Sequence, residues 1–311
     1  MNKTSIEWTD FTWNPIRARN TRANRTGTFC TRISPGCKNC YASVINRRFG
    51  TGLEYDAQEL KHHEFFLSET ILAEPLKRKK PARIFVGDMF DLFHDAIPGT
   101  MIAEVLRVAY KLPRHTFQFL TKRADRMQRI TSLIRDEWGD WQSGALPAHM
   151  HFGVSVEDQQ RANERIPFLQ ATPVAVQFLS VEPQLEEVTP DLRAISWVIC
   201  GGESGPGARP FNLAWAESLL AQCRAAGVPF FMKQAGAVPM IDDQLWRQCC
   251  AAGRVPLLAA NNAHKVPANT VALRFQDRKG GDPAEWPEHL RVREFPAPKS
   301  TFEAEIMRCS Q

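Results

Sequence analysis

Residues 83–123, RIFVGDMFDLFHDAIPGTMIAEVLRVAYKLPRHTFQFLTKR, decide the fold of this chain. Two short runs of β-branched and aromatic residues, RIFV at 83–86 and TFQFL at 116–120, flank a stretch in which apolar residues recur with helical spacing from Ile102 to Leu112. A strand, a helix and a second strand in this order are typical of a parallel sheet that is covered by helices.

The same rhythm extends along the chain on both sides of this stretch. A helix is expected from Leu213, capped by Asn212 and ended by Gly227, another from Tyr41, and a first strand around 27–30. Spacings of about 20–35 residues between successive strands are comparable with the βα unit of a barrel. We therefore predict an α/β fold, a partial (β/α) barrel with six to seven parallel strands. Four further runs complete the candidate strands: HFGV at 151–154, VQFL at 176–179, WVIC at 197–200 and PFFM at 229–232.

The barrel pattern ends near residue 236. We expect residues 1–236 to form the barrel domain, with the cysteine-containing loop near its N-terminus. Residues 237–311 are rich in Pro, Gly and Asp, so we expect an irregular extension with one small strand pair.

Bulk composition is that of an ordinary soluble protein. Of the 311 residues, 43% are hydrophobic and 23% are charged. No apolar stretch approaches the ~18 residues that a membrane span needs, and the N-terminus lacks a signal-peptide core. We expect a cytoplasmic protein without membrane contact, in a compartment that keeps thiols reduced.

Three of the eight cysteines lie together, Cys30, Cys37 and Cys40 in CTRISPGCKNCYA. In a reducing compartment such a group indicates metal or redox chemistry, whereas the five scattered cysteines are expected to be small buried hydrophobes. Three thiolates are one short of a structural zinc site, but they suit an iron–sulfur cluster with one open iron. His94 is available as a fourth ligand, although a structural histidine is the simpler interpretation.

Polar residues follow nearly every candidate strand, where the carboxyl ends of parallel strands meet. Gly201 to Gly207 form a glycine-rich turn, and Arg209 just beyond it can bind a carboxylate or phosphate with both ends of its fork. A cluster of charges at one mouth is a mark of an active site. No residue stands out as catalytic. The candidate cofactor-binding residues are Asp88, Asp91, Lys122, Ser155, Glu182, Gly201, Gly202, Glu203 and Arg209.

The net charge of +5 is compatible with a polyanionic substrate without demanding one. The densest basic run is Lys77 to Lys80, and runs of this kind are more often solvated surface than nucleic-acid sites.

A series of motifs runs from about residue 5 to residue 236. The motifs, in order, are IEWTD, TWNP, SPGCKNCYA, RIFVGDMFDLFH, HTFQFLTKR, FGVSVEDQ, FLSVEP, WVICGGESGPGARP and AGVPFFMKQAG. Together they resemble a phage-associated family of three-cysteine proteins, a domain of unknown function, which is itself similar to radical S-adenosylmethionine enzymes.

The resemblance implies a radical-enzyme barrel in which Cys30, Cys37 and Cys40 bind a [4Fe-4S] cluster. S-adenosylmethionine would bind the fourth iron and be cleaved to methionine and a 5′-deoxyadenosyl radical. A reducing partner of flavodoxin or ferredoxin type would supply the electron. The phage setting makes a nucleotide or a nucleic-acid base the substrate class we expect.

The chain departs from the usual radical-enzyme pattern in its cysteine spacing, C-x6-C-x2-C in place of C-x3-C-x2-C. Asn39 stands where an aromatic residue usually precedes the last cysteine, and Tyr41 follows it. The Gly-Gly-Glu triplet comes after a late strand, so the loop with Asp88 and Asp91 is the better candidate for the methionine amino group. Within the three-cysteine family, residues 16–29 are an apparent basic insertion, expected as a loop near the cluster.

Two other functions remain open from the sequence. One is a zinc-binding, nucleic-acid-associated protein without radical chemistry, which needs one further ligand beside the three cysteines. The other is an interaction module in which the barrel carries a structural cluster.

Overall fold

The computed structural model describes residues 1–138, 145–242, 244, 247, 257–258 and 269–297. Cys249, Cys250 and Cys309, and with them a large part of the predicted extension 237–311, lie outside the described residues. Within the described part of the chain, no helix has the length and apolar character to cross a membrane.

One large sheet organises the molecule. Its strand order is β1-β2-β6-β7-β8-β9-β10-β12, with β1 antiparallel to β2 and every other pair parallel. Seven parallel strands confirm the predicted α/β partial barrel, and all six candidate strands are present. The eight strands are β1 (Asn2–Lys3), β2 (Phe11–Trp13), β6 (Arg83–Val86), β7 (Thr116–Thr121), β8 (Leu146–Ser155), β9 (Val174–Val181), β10 (Trp197–Gly201) and β12 (Phe230–Gln234).

Helices cover the outer face of this sheet, where alternate strand residues such as Val86, Phe119 and Phe152 are fully buried. The Asn212 side chain accepts a hydrogen bond from the Ala214 N–H at the start of the last helix, and Gly227 ends that helix with positive φ, as predicted. The helices are α1 (Tyr41–Phe49), α2 (Glu69–Leu72), α3 (Glu74–Lys77), α4 (Gly99–Tyr110), α5 (Ala124–Trp138), α6 (Gln159–Gln170) and α7 (Leu213–Ala226).

The inner face of the sheet has its own apolar cluster, in which Trp8 packs on Phe85 with ring centroids 4.7 Å apart. Toward the carboxyl ends the inner face becomes polar. Ser155 lies on the same face of β8 as Gly153, and Gly153 packs against the ring of Phe178 in this cluster. The floor of the partial barrel is therefore filled, and its polar groups lie at the carboxyl ends of the strands. The other members of the cluster are Trp197, Ile199 and Phe231.

The prediction of a first strand around 27–30 was wrong. The first parallel strand is β2, whereas β4 (Arg25–Gly27) pairs with β3 (Ile16–Asn20) as an antiparallel hairpin. β5 (His63–Leu67) pairs with β3 on its other side. The predicted loop at 16–29 is thus largely a hairpin in a three-stranded sheet, because β5 satisfies the backbone groups of β3.

The described part of the extension is more regular than expected. β13 (Pro239–Asp242), β14 (Leu257–Leu258) and β15 (Thr270–Arg274) form a four-stranded sheet with β11 (Phe211–Asn212), which precedes α7. This sheet joins the extension to the part of the chain before residue 236.

Candidate functional site

The cysteine loop, residues 30–40, lies across the carboxyl ends of the parallel strands. Cys30 is its first residue, Cys37 ends a short 3-10 helix (Pro35–Cys37), and Cys40 is the N-cap residue of α1. All three are half-buried free thiols. We refer to the strand ends beneath this loop as the rim.

The first contact between loop and rim is made by Arg123, which follows β7. Its Nη1 lies 3.9 Å from Cys30 Sγ and 3.0 Å from Asp91 Oδ2, and its Nη2 donates to Thr31 Oγ1 at 2.8 Å. Asp91 also accepts a hydrogen bond from the Thr121 hydroxyl at 2.7 Å. Burial alone would raise the pKa of Asp91, but the charge of Arg123 and the hydrogen bonds from Thr121 and the Lys122 N–H together lower it below its usual value.

The second contact is made by Glu157, which follows β8 and has no exposed surface. Its Oε2 pairs with Arg165 Nη1 of α6 at 2.7 Å, and its Oε1 accepts a hydrogen bond from the Gly36 N–H at 3.3 Å. Burial alone would raise the pKa of Glu157, but the charges of Lys122 and Arg165 lower it. Lys122 thus acts on this carboxylate, and its backbone N–H donates to Asp91 at 3.2 Å.

The third contact is the Glu203–Arg209 pair. Both ends of the Arg209 fork bind the Glu203 carboxylate, at 2.7 and 2.9 Å, while Arg209 Nη1 donates to the Pro35 carbonyl at 3.0 Å. Asn39, next to Cys40, donates to Glu203 at 2.8 Å. Burial would raise the pKa of Glu203, but the hydrogen bonds from Arg209 and Asn39 lower it.

The remaining predicted residues lie on the same rim. Asp88 accepts a hydrogen bond from Asn14 at 2.7 Å, its carbonyl accepts one from the Tyr41 hydroxyl at 2.7 Å, and burial raises the pKa of its carboxyl group. Glu182, after β9, forms an ion pair with Lys233 of β12. Ser155 is buried at the end of β8, where its carbonyl accepts a hydrogen bond from Arg165 at 2.7 Å.

Gly201 and Gly202 lie where the ends of neighbouring strands pack closely together. The Gly201 carbonyl accepts a hydrogen bond from the Gln184 N–H at 2.9 Å, and the Gly202 N–H donates to the Gln234 carbonyl at 3.0 Å. A Cβ on Gly202 would approach the Ala235 carbonyl oxygen to 2.7 Å. The structure therefore brings all nine predicted residues to one rim, and their binding of a cofactor stays a prediction.

Five residues that hold the loop or its rim partners stand outside the predicted cofactor-binding set: Asn14, Asn39, Arg123, Glu157 and Arg165. Arg123 and Glu157 lie two residues beyond β7 and β8, and this position at strand ends is the signal that could have assigned them to the site, whereas Asn14 follows β2, a strand too short to show in the sequence. Arg165 lies inside α6 and carries no such signal.

Three thiols on one loop are the donor set that a cubane cluster with an open iron requires. Within the described residues, no three His, Cys, Asp or Glu side chains stand close enough together to hold a single metal ion. Burial, followed by the charge of Asp91, raises the pKa of Cys30 to about 12, so loading this thiol with iron releases a proton.

Both ring nitrogens of His94 are used within the chain. Nδ1 accepts a hydrogen bond from the Ala96 N–H at 3.1 Å, which leaves Nε2 as the donor to Thr31 Oγ1 at 2.9 Å. His94 is therefore a structural residue that supports the position after Cys30.

The basic run Lys77 to Lys80 lies at the opposite end of the sheet from the rim. It precedes β6 and lines an open cleft of about 490 Å³ with Met1, Phe11 and Glu74.

Fold and site together define a mixed α/β partial-barrel protein with a three-cysteine loop fixed on its carboxyl rim. The chain belongs to the family described as protein of unknown function (DUF5131), whose model matches residues 3–280. No curated protein and no solved structure matches the chain. The resemblance to a family of unknown function is thus confirmed, whereas its phage association and its likeness to radical enzymes stay predictions.

Proposed function

We propose that the protein is a radical S-adenosylmethionine enzyme in which Cys30, Cys37 and Cys40 hold a [4Fe-4S] cluster. The observation that carries the proposal is a three-thiol loop held on the polar rim of seven parallel strands by hydrogen bonds to three buried or half-buried ion pairs of that rim. Cofactors of parallel α/β folds bind at this end of the strands.

When bound, the cluster and S-adenosylmethionine would supply a one-electron cleavage that yields methionine and a 5′-deoxyadenosyl radical for hydrogen-atom abstraction. In this proposal Asp91, Glu203 and Arg209 hold the loop and do not bind the cofactor directly, because their charges are already paired within the chain. Lys122 and Ser155 remain as the groups best placed to contact the methionine or the substrate.

Two further candidates for cofactor contact are Asp88, a half-buried carboxyl group whose pKa is raised by burial, and Glu182, whose ion pair with Lys233 is half-buried at the rim. Burial strengthens the interaction of such groups with a bound ion or dipole. The proposed substrate class, a nucleotide or a nucleic-acid base, rests on the resemblance and on the positive net charge.

The second candidate is a zinc-binding protein associated with nucleic acid. What favours it is the charge of residues 11–53, which surround the three cysteines with eight Arg and Lys residues and contain no Asp or Glu. Such a segment attracts polyanions whichever metal the cysteines hold.

Anaerobic reconstitution with iron and sulfide, followed by dithionite and S-adenosylmethionine, tests the proposal through the yield of 5′-deoxyadenosine. We expect the product to be lost in Cys37→Ala and kept in Cys223→Ala, which removes a buried thiol of α7. Tight zinc binding without product would establish the second candidate. A stable cluster without product would make the protein an interaction module.

A further inference from the structure

Helix α1 turns an apolar stripe toward solvent directly beside the cysteine loop. Tyr41, Val44, Ile45 and Phe49 are 52%, 57%, 42% and 71% exposed, and their spacing places them on one side of the helix. The buried side of α1 is small and polar, with Ala42, Ser43 and Asn46. Nothing in the described residues covers the stripe, which is about 14 Å long for a nine-residue helix.

The surroundings of this stripe are positive. Arg47 and Arg48 belong to α1, and Arg25 of the hairpin donates to the Arg48 carbonyl at 3.3 Å, which brings the hairpin tip to the end of the helix. The acid-free segment 11–53 carries all of these residues, while the whole chain has a net charge of only +5, so the rest of the chain is net negative. Glu54 pairs with Arg47 at 2.7 Å, so the positive charge that borders the stripe is chiefly that of Arg25 and Arg48.

An apolar centre with a charged border is the anatomy of a protein interface. Tyr41 and Phe49 carry rings at the two ends of the stripe, but Val44 and Ile45 at its centre have none on which a nucleic-acid base could stack and can instead fill an apolar depression on a protein. The arginines at the border are complementary to carboxylates, and such complementarity steers association. An acidic protein therefore fits this surface better than a nucleic acid does.

We propose that the exposed stripe of α1 docks an acidic protein that donates one electron to the cluster. The inference rests on the proposed function. α1 follows Cys40 without a break, so a protein seated on the stripe lies beside the loop that would hold the cluster. For each molecule of S-adenosylmethionine cleaved, the donor would lose one electron, the carbon–sulfur bond to the adenosyl group would accept it and break, and the products would be methionine and a 5′-deoxyadenosyl radical.

The experiment compares two reductants on the same reconstituted protein. Dithionite is small and needs no docking surface, whereas a reduced acidic flavodoxin must bind. We expect Val44→Asp to lower the flavodoxin-driven yield of 5′-deoxyadenosine about tenfold, because it places a like charge and a polar group in the centre of the contact. The dithionite-driven yield should stay unchanged. Arg48→Glu should give the same selective loss.

Leu133→Asp is the matched control, since Leu133 is 64% exposed on α5. It should change neither yield. An unchanged flavodoxin-driven yield in both Val44→Asp and Arg48→Glu would overturn the docking surface while leaving the enzyme proposal intact. Absence of product with dithionite in the unmodified protein would overturn the enzyme proposal itself. Weaker binding of a single-stranded oligonucleotide, with flavodoxin binding unchanged, would reassign the surface to nucleic acid.

Discussion

At the scale of single residues, Arg123 links the interior of the barrel to the first cysteine. Its side chain is 5% exposed and that of Asp91 is 9% exposed, so their charges depend on each other for solvation. Thr31 and the sulfur of Cys30 accept the other contacts of the same guanidinium group. A change at Arg123 therefore reaches both the stability of the fold and the position of Cys30.

We expect Arg123→Met to lower the free energy of unfolding by about 3–5 kcal/mol, because it leaves the Asp91 carboxylate buried without its partner. Urea unfolding followed by circular dichroism measures this change. Arg193→Met, which breaks the exposed pair with Asp191, should have no measurable effect. Equal, small effects of the two variants would show that Asp91 finds other solvation.

His94 gives the protein a specific sensitivity to acid. Burial, with the charge of Arg123 next in size, lowers the pKa of His94 to about 4, against about 6.5 in an unfolded chain. Below pH 6.5 the unfolded chain binds a proton that the folded chain does not, so stability is lost as the pH falls from 6.5 toward 4.

His94→Gln removes this titration, while its amide can replace the donor to Thr31. Between pH 7 and pH 4.5 the unmodified protein should lose about 2–3 kcal/mol more of its unfolding free energy than the variant. Urea titrations at the two pH values measure the difference. Parallel losses in both proteins would mean that His94 is protonated in the folded state.

Residue patterns predicted where the site lies in the fold better than they predicted which side chains pair with each other there. Asp91, Glu203 and Arg209 were expected at the rim because each follows a strand, and the structure has them there. Their pairing with Arg123, with each other and with the loop depends on elements far apart in sequence. Position along the chain therefore reveals that a residue reaches the rim, but not what it binds there.

At the scale of elements, the contact between the ends of β10 and β12 leaves no room for a side chain at Gly202. We expect Gly202→Ala to lower the free energy of unfolding by about 1–3 kcal/mol, because its Cβ would approach the Ala235 carbonyl oxygen to 2.7 Å and Phe211 Cβ to 2.8 Å. Thermal unfolding measures the loss. Gly99→Ala, with open space around the added carbon, should be neutral or stabilising.

A stable Gly202→Ala protein with weakened S-adenosylmethionine binding would instead assign this glycine to the cofactor. The two outcomes separate packing from binding at a residue that the sequence alone assigned to cofactor binding.

Strands could be predicted from the sequence where a buried run is long enough for its β-branched and aromatic residues to stand out. β6 was predicted with its observed bounds, Arg83–Val86, because four β-branched, aromatic or long residues follow one another before Gly87. β2 has only three residues, Phe11–Trp13, and its neighbours on both sides are polar, so composition gives it little signal. The hairpin at 16–27 is stabilised by pairing with β5, which local sequence does not reveal.

At the scale of the whole molecule, the predicted boundary at residue 236 is crossed by regular hydrogen bonds. Met232 N–H donates to the Val292 carbonyl at 2.8 Å, and Glu294 N–H donates to the Phe230 carbonyl at 3.0 Å. The indole N–H of Trp197 donates to the Glu294 carbonyl at 2.8 Å. A segment near residue 293 thus covers the edge of β12 as a further strand would.

A chain that ends at residue 236 should therefore unfold at a lower temperature than the full chain and associate in solution. It loses these three hydrogen bonds, about 1 kcal/mol each, and it exposes both the edge of β12 and the ring of Phe231, on which Phe295 packs at 5.2 Å. Calorimetry and size-exclusion chromatography measure the two effects. A chain that ends at residue 297 keeps all of these contacts and is the matched control. If the shorter chain is monomeric and unfolds at the same temperature as the full one, the barrel is an independent domain and the segment near residue 293 only rests on it.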